Sequence, residues 1–247
     1  MIMKTFLTLL MLLSSTHAFA DDALSSDRPG RASSPTTVSV GHLQVEADGI
    51  NYVQNYKGNV RSYQFADPTL KYGLTDRVDV EVGIGGLVVQ NGRRAYGDTT
   101  LAVKFMALHT DAVVIAVIPT VKIPTAKNGF GNGHLEYQVA VPIQFSLPND
   151  FSLTVQPNVA VVRNVANQGY RMNFSGAVNV SRVIIGDLSG FVELYANKTM
   201  DTSPTQVSFD TGVAYLINKS LQLDAGVNIG LNRSSGIGVY CGISYRY

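Results

Sequence analysis

The 247-residue sequence has no tryptophan and a single cysteine, and charged residues make up only 15% of it. One thiol, Cys241, excludes an intrachain disulfide, and its place among apolar residues is typical of a small filler side chain. The scattered histidines His42, His109 and His134 have no metal-ligand spacing. A formal net charge of +1 gives no reason to expect binding to nucleic acid.

Long hydrophobic runs are also missing. Beyond the N-terminus the longest uninterrupted apolar run is residues 112–118, far short of the ~20 residues that a membrane-spanning helix needs. If the mature chain lies in a membrane, it must therefore be a closed β-barrel.

The N-terminus has the order of a secretory signal peptide. Lys4 precedes an apolar stretch at residues 6–13, and Ala18-Phe19-Ala20 supplies a small-x-small cleavage site. Residues 1–20 are predicted to be a signal peptide of a Gram-negative bacterium. The residue directly after the cleavage site is Asp21 and not a cysteine, so a lipoprotein is not expected.

The last eleven residues alternate between an apolar face and a small or polar face, and they end on Tyr247. Alternation with a period of two is typical of a β-strand. Two interpretations are open for this segment alone: the closing strand of an outer-membrane barrel, or an edge strand of a soluble sandwich. In the first, Tyr247 is expected to be an assembly signal for the barrel-assembly machinery.

The same alternation recurs in eleven further segments, and the connections between them are alternately short and long. Short turns at one end, longer loops such as 90–97 and 124–133 at the other, and an even strand number are typical of bacterial outer-membrane barrels. The predicted fold is all-β, a 12-stranded antiparallel transmembrane β-barrel with up-and-down topology over residues 40–247. The predicted strands are 42–55, 60–74, 77–88, 98–107, 112–123, 135–147, 151–161, 170–181, 188–196, 206–217, 221–231 and 237–247.

Aromatic residues stand at the ends of these strands, where the interfaces of a membrane would lie. They predict two girdles in contact with outer-membrane lipids. The members are Tyr72, Phe151, Tyr215, Tyr245 and Tyr247 at the short-turn end, and Tyr52, Tyr56, Tyr170 and Phe209 at the long-loop end.

Several short strings follow one another in an order that resembles an outer-membrane β-barrel transporter family of the phenol-degradation meta-pathway type. The resemblance covers residues 27–247 and implies a twelve-stranded barrel with a transport role. Gly30-Arg31 departs from the family pattern. The strings are Asp27-Arg28-Pro29-Gly30, Gly41-His42-Leu43-Gln44-Val45-Glu46, Tyr72-Gly73-Leu74-Thr75-Asp76-Arg77-Val78, Lys122-Ile123-Pro124-Thr125 and Leu221-Gln222-Leu223-Asp224-Ala225-Gly226.

Strand parity also predicts which charged side chains face the lumen. Most are expected to be structural ion pairs, since unpaired charges in a confined space are costly. The alternative is that a subset, such as Asp210 and Asp224, lines a permeation path. The lumen-lining candidates are Lys71, Arg77, Asp79, Glu81, Asp98, Lys104, Glu136, Arg171, Glu193, Asp210, Asp224 and Arg246, and the same parity adds Glu46 and Lys122.

The polar residues 21–39 precede the first strand. They are expected either to fold into the lumen as a plug, with Arg28 and Arg31 meeting inward acids, or to be a disordered tail. Twelve strands give a backbone diameter of roughly 25 Å, of which side chains remove about half, so the lumen admits a small molecule at best.

The function predicted from the sequence is passive passage of a small solute, with an aromatic or hydrophobic one as the candidate. The rival is a non-conducting structural or surface-interaction barrel. An outer-membrane lipid hydrolase is the third hypothesis, but only His134 lies at a suitable level and its parity turns it inward. No enzymatic activity, cofactor or metal is expected.

Overall fold

The period-two pattern is realised along fifteen strand segments. The computed structural model describes residues 24–56, 61–127, 129–164, 169–200 and 204–247, so the predicted signal peptide lies outside the described residues. No helix in these ranges is long and apolar enough to cross a membrane. The strands are β1 Leu43–Asn55, β2 Arg61–Thr75, β3 Val78–Gly83, β4 Leu87–Gln90, β5 Arg93–Tyr96, β6 Thr99–His109, β7 Val113–Ile123, β8 Glu136–Ala140, β9 Ile143–Leu147, β10 Phe151–Asn164, β11 Gly169–Ile185, β12 Leu188–Thr199, β13 Gln206–Asn218, β14 Leu221–Gly230 and β15 Gly236–Arg246.

These segments make twelve wall strands, because β3 and β4, β5 and β6, and β8 and β9 are each one interrupted strand. Sequential neighbours pair antiparallel, and β1 pairs with β15 from Gln44 opposite Arg246 to Asn55 opposite Gly236. The pairing closes the sheet, so no edge is left unpaired. The predicted fold, a 12-stranded up-and-down barrel, is confirmed.

Local chemistry explains the interruptions. Between β3 and β4 the backbone of Gly85 touches that of Gly97 so closely that a Cβ atom at Gly85 would clash with it. Between β8 and β9 stands Pro142, which has no N–H to give to a ladder. At these points the wall strand is interrupted, but its two parts stay paired with the strands on either side.

The inside and the outside of the barrel are inverted relative to a soluble protein. Outward side chains are large and apolar but exposed, as Leu101, Phe105 and Leu194 are. Inward side chains are polar or charged and buried, as Lys104 and Glu193 are. A surface of this kind is stable only against an apolar medium, which is the environment that a bilayer provides.

The predicted alternation of short and long connections holds, with one correction. The predicted loop at 90–97 is mostly strand: β5 extends into it, and the connection shrinks to the two-residue turn Asn91-Gly92. Both residues have positive φ, 49° and 77°, the combination that a type I′ hairpin turn requires.

Strand ends agree with the predicted bounds to within a few residues. β10 and β11 are the main exceptions, since they continue to Asn164 and Ile185. Aromatic side chains such as Tyr215 and Tyr245 at the short-turn end, and Tyr56 and Tyr170 at the long-loop end, are exposed on the outside.

A charge placed on the outer face of the barrel tests whether that face contacts lipid. Val192 lies in the middle of β12 with 46% of its surface exposed, so Val192→Arg would be harmless in a soluble protein. In phospholipid vesicles we expect it to lower the free energy of unfolding by about 2–4 kcal/mol, measured by urea titration.

The matched control is Ile184→Arg. Ile184 is also exposed but stands beside a short turn, at the end of β11. Its cost should be about 0–1 kcal/mol. Equal, negligible costs at both positions would contradict a lipid-facing wall.

Candidate functional site

Residues 24–40, here called the lumen segment, form a loop that enters and leaves the barrel at its short-turn end. The amide of Leu24 donates to the carbonyl of Lys219 (3.1 Å), in the turn before β14. The hydroxyl of Thr37 donates to the carbonyl of Asp76 (3.0 Å), in the turn before β3. Between these anchors the segment contacts inward side chains on strands around the lumen. Its apex is residues 29–33.

Asp27 lies between two lysines of the wall. Its carboxylate is 2.6 Å from Nζ of Lys71 and 3.0 Å from Nζ of Lys104. The lysines also pair with Glu46 (2.8 Å) and Glu81 (3.4 Å), respectively. Burial raises the pKa of the Asp27 carboxyl, but the ammonium groups of Lys104 and Lys71 outweigh burial and hold this pKa well below its usual value.

Arg28 lies flat against the wall. Its Nε and Nη2 donate to the two carboxylate oxygens of Asp224 (2.9 and 2.7 Å), and Nη1 donates to Asp48. The strand register places Gly242 opposite both acids, and a Cβ atom at Gly242 would clash with the guanidinium. Burial lowers the pKa of Arg28, yet the two carboxylates reverse this and raise it above its usual value.

Arg31 stands at the apex. Its Nε donates to Asp210 (2.7 Å), and its guanidinium lies 4.4 Å from the ring centroid of Tyr195. The amides of Arg31 and Ala32 donate to the carboxylate of Glu193, each at 3.0 Å. One side chain and two backbone groups of the apex are therefore held by acids of β12 and β13.

Two further amides complete the attachment. The amide of Ser33 donates to Oε1 of Gln156 (2.7 Å) on β10, and that of Val38 donates to Asp79 (2.9 Å) on β3. The segment is thus fixed to opposite sides of the barrel, mainly through wall side chains.

A separate ion cluster lies nearer the long-loop end. Nζ of Lys122 is 3.2 Å from Asp98 and 2.6 Å from Glu136. Glu136 also accepts the amide of Arg163 (2.8 Å). These interactions join neighbouring wall strands and do not involve the lumen segment.

The structure places most of the predicted lumen residues inside the barrel. Asp98 and Arg171 are partly buried. Arg77 requires a correction: it is exposed in the two-residue turn before β3, where strand parity no longer applies. The buried members are Lys71, Asp79, Glu81, Lys104, Glu136, Glu193, Asp210, Asp224 and Arg246.

Sequence reasoning missed several of the residues that make contact with or within the lumen segment. Asp48 and Tyr195 have the parity of neighbouring lumen acids and could have been found by extending that rule. Asp27 belongs to no periodic pattern, and Gly242 has no side chain that could indicate a contact. Their roles depend on contacts between distant parts of the chain.

Cavities lie on both sides of the apex. One of about 280 Å³ is lined by the lumen segment, Ser189 and Gln222. Two more, of about 310 and 300 Å³, share Arg31 and Tyr195 in their linings. The larger of these two also reaches Ser208, near the long-loop end. The apex therefore lies between a cavity toward the short-turn end and cavities toward the long-loop end.

Comparisons with known proteins agree with this architecture. The family model described as "Putative MetA-pathway of phenol degradation" matches residues 26–239. No curated protein matches the chain.

Three solved structures are similar at low sequence identity. The COG4313 outer membrane channel from Pseudomonas putida F1 is 13% identical, with 89% of this chain and 99% of that chain covered and a TM-score of 0.64. The NanC porin (9% identity, 82% and 98% covered, TM-score 0.59) and the KdgM porin (9% identity, 83% and 98% covered, TM-score 0.57) follow. These likenesses concern the fold, an outer-membrane barrel.

Gly242→Ala tests whether the Arg28 site holds the segment. The added methyl group displaces the guanidinium, and loss of even one charge-assisted hydrogen bond costs about 1.5–3 kcal/mol. Trypsin should then cleave the peptide bond between Arg31 and Ala32 roughly tenfold faster or more. The cleavage rate is measured by mass spectrometry on the detergent-solubilised protein.

Gly49→Ala is the control, because a Cβ atom at Gly49 meets only ordinary contacts, the nearest at 3.5 Å. Its cleavage rate should match that of the wild type. If Gly242→Ala also cleaves at the wild-type rate, the Arg28 contacts do not hold the segment.

The lowered pKa of Asp27 also predicts how the segment responds to acid. A carboxyl whose pKa is depressed by folding contributes stability that is complete above its unfolded pKa of ~3.9 and is lost as the pH falls toward the folded value. Amide hydrogen exchange across residues 27–30, corrected for intrinsic rates, should therefore stay constant from pH 8 to about 5 and accelerate only below about pH 4. Acceleration between pH 8 and 5 would contradict this assignment.

Proposed function

Because the chain belongs to the family described as "Putative MetA-pathway of phenol degradation" and is an outer-membrane β-barrel, we propose that it is a channel narrowed by its own lumen segment. The observation that carries the proposal is the position of the apex. Residues 29–33 lie across the lumen between cavities that face opposite ends of the barrel.

The dimensions support passage of small solutes only. A twelve-stranded barrel leaves little free width once its inward side chains are in place. The cavities of about 280–310 Å³ are at the lower end of the range for small-molecule sites. Ions and small molecules fit beside the segment, whereas larger solutes require it to move.

The way the segment is attached supports such movement. Apart from a single bridge between Val40 and Gly73, it forms no strand pairing with the wall. Its contacts are hydrogen bonds and ion pairs, whose groups can bind water and mobile ions when the segment leaves. A segment held in this way can leave without disturbing the wall ladder.

The linings of the two loop-side cavities differ. One is lined mainly by polar side chains, among them Gln138 and Asn158. The other combines Ser208 with apolar side chains such as Val53 and Ile237. A solute in these cavities therefore meets both polar and apolar groups, and the aromatic or hydrophobic solute expected from the sequence stays a prediction.

The remaining expectations are part of the same proposal. We propose that the chain binds outer-membrane lipids through its aromatic girdles and the barrel-assembly machinery through Tyr247, and that it has no enzymatic activity. His134 lies exposed in a loop rather than turned inward, and no cluster of three His, Cys, Asp or Glu side chains suited to a metal ion occurs within the described ranges. The hydrolase alternative thus gains no support here.

A reversible disulfide that ties the lumen segment to the wall tests the channel. The hydroxyls of Ser26 in the segment and Ser244 on β15 are 2.7 Å apart, so cysteines at both positions can form a disulfide. In a Cys241→Ser background, the oxidised Ser26→Cys/Ser244→Cys protein should show a small, steady current in planar bilayers. Reduction should restore larger openings, and deletion of residues 21–39 should raise the conductance severalfold.

Ser26→Cys alone in the same background is the matched control, and redox treatment should not change its current. Folding of every variant is checked by the gel shift between unheated and boiled samples. Absence of current from all folded variants, the deletion included, would favour the rival, a non-conducting structural or surface-interaction barrel.

A further inference from the structure

Two pairs of wall acids stand directly opposite each other on neighbouring strands. Glu193 of β12 is paired in register with Asp210 of β13, and Asp48 of β1 with Asp67 of β2. Glu193 and Asp210 are each only 1% exposed. Like charges directly opposite on one face of a sheet are destabilising unless a cation lies between them.

The acids on this side of the lumen are neutralised by the lumen segment. Among the described residues, the ion pairs of Asp48, Asp224 and Asp210 are all with Arg28 and Arg31 of the lumen segment. The opposite side differs, because Lys71 and Lys104 of the wall neutralise the acids there. The acidic side therefore depends on charges that come from outside the wall.

The site around Arg28 has the geometry of a guanidinium receptor. Asp224 accepts two parallel hydrogen bonds and Asp48 a third, and Gly242 leaves room for the planar group. Bidentate carboxylate recognition of this kind is specific for guanidinium.

A second site surrounds Arg31. It combines the carboxylate of Asp210 with the face of Tyr195, a pairing that attracts organic cations. Ser208 adds an independent sign of a ligand: it is 7% exposed, it stands opposite Tyr195 in register, and its hydroxyl has no hydrogen-bond partner in the described structure. Ser208 is also one of the residues that line the loop-side cavity beside Arg31.

We propose that Arg28 and Arg31 occupy two cation-binding sites of the wall, and that small organic cations bearing a guanidinium or primary amine compete for these sites and are the solutes that pass. The proposal rests on the channel function above and names its solute class. A cation that replaces an arginine side chain neutralises the same carboxylates, so the segment can leave without exposing unpaired buried acids. A neutral or anionic solute offers no such compensation.

Agmatine, which has both a guanidinium and a primary amine, is the probe for binding. We expect calorimetric titration of the full-length Arg28→Gln/Arg31→Gln protein to give affinity roughly tenfold or more above that of the wild type, because the sites are then vacant. Adding Asp210→Asn and Asp224→Asn should abolish the binding. Arg77→Gln, which removes one positive charge from an exposed turn, is the control and should behave as the wild type does.

The second readout is current. In planar bilayers the Arg28→Gln/Arg31→Gln protein should be selective for K⁺ over Cl⁻, shown by the reversal potential in a salt gradient, and the two Asn substitutions should reduce that selectivity. If the double Gln variant does not fold, the same comparison is made between Arg31→Gln and Arg31→Gln/Asp210→Asn.

The outcomes separate the two proposals. If the folded Gln variants do not bind agmatine, or if they bind it equally well without Asp210 and Asp224, the cation sites are overturned even if the barrel conducts. If agmatine binds as expected but no variant carries current, the cation sites stand and the channel function fails.

Discussion

A charge buried inside a closed barrel is costly unless an opposite charge or hydrogen-bond donors compensate it, and this requirement organises the protein. The side formed by β2, β3 and β6 meets it with its own lysines, Lys71 and Lys104. The side formed by β12 to β14 and β1 meets it with arginines from residues 24–40. The lumen segment is therefore as much a part of the electrostatic structure as any wall strand.

The consequence for solutes follows from where the charges originate. A wall that contained its own counter-ions would be neutral whether or not the segment were present. This wall becomes acidic on one side when Arg28 and Arg31 leave, so the position of the segment and the charge of the lumen change together. In the proposed channel, size and charge selection are then properties of the same element, the lumen segment.

Strand parity accounts for most of what could be predicted. A period of two assigns every residue of a strand to one face, so Glu193 and Asp224 were placed inward without knowledge of their partners. The rule fails where the strand ends, which is why Arg77 was assigned to the lumen although it lies in a turn. The turn at Asn91-Gly92 was missed for a different reason: the dipeptide that defines a two-residue hairpin was read as part of a longer loop.

The partners themselves could not be predicted from local pattern. Arg28 and Asp224 are 196 positions apart, and their contact exists only because β14, β15 and β1 stand side by side. The short motif Asp27-Arg28-Pro29-Gly30 resembles a family pattern, but nothing in it identifies which acids it meets. Gly242 is understood only once the guanidinium above it is seen.

These contacts also constrain the order in which the molecule can be built. The segment precedes the first strand, yet the acids that hold Arg28 and Arg31 include Asp224 and Asp210, which are synthesised late. An unfinished barrel offers the segment no complete receptor, and a barrel closed by β1 and β15 leaves it access only through the open ends. Complete docking of the N-terminal residues therefore requires the far end of the chain to be in place.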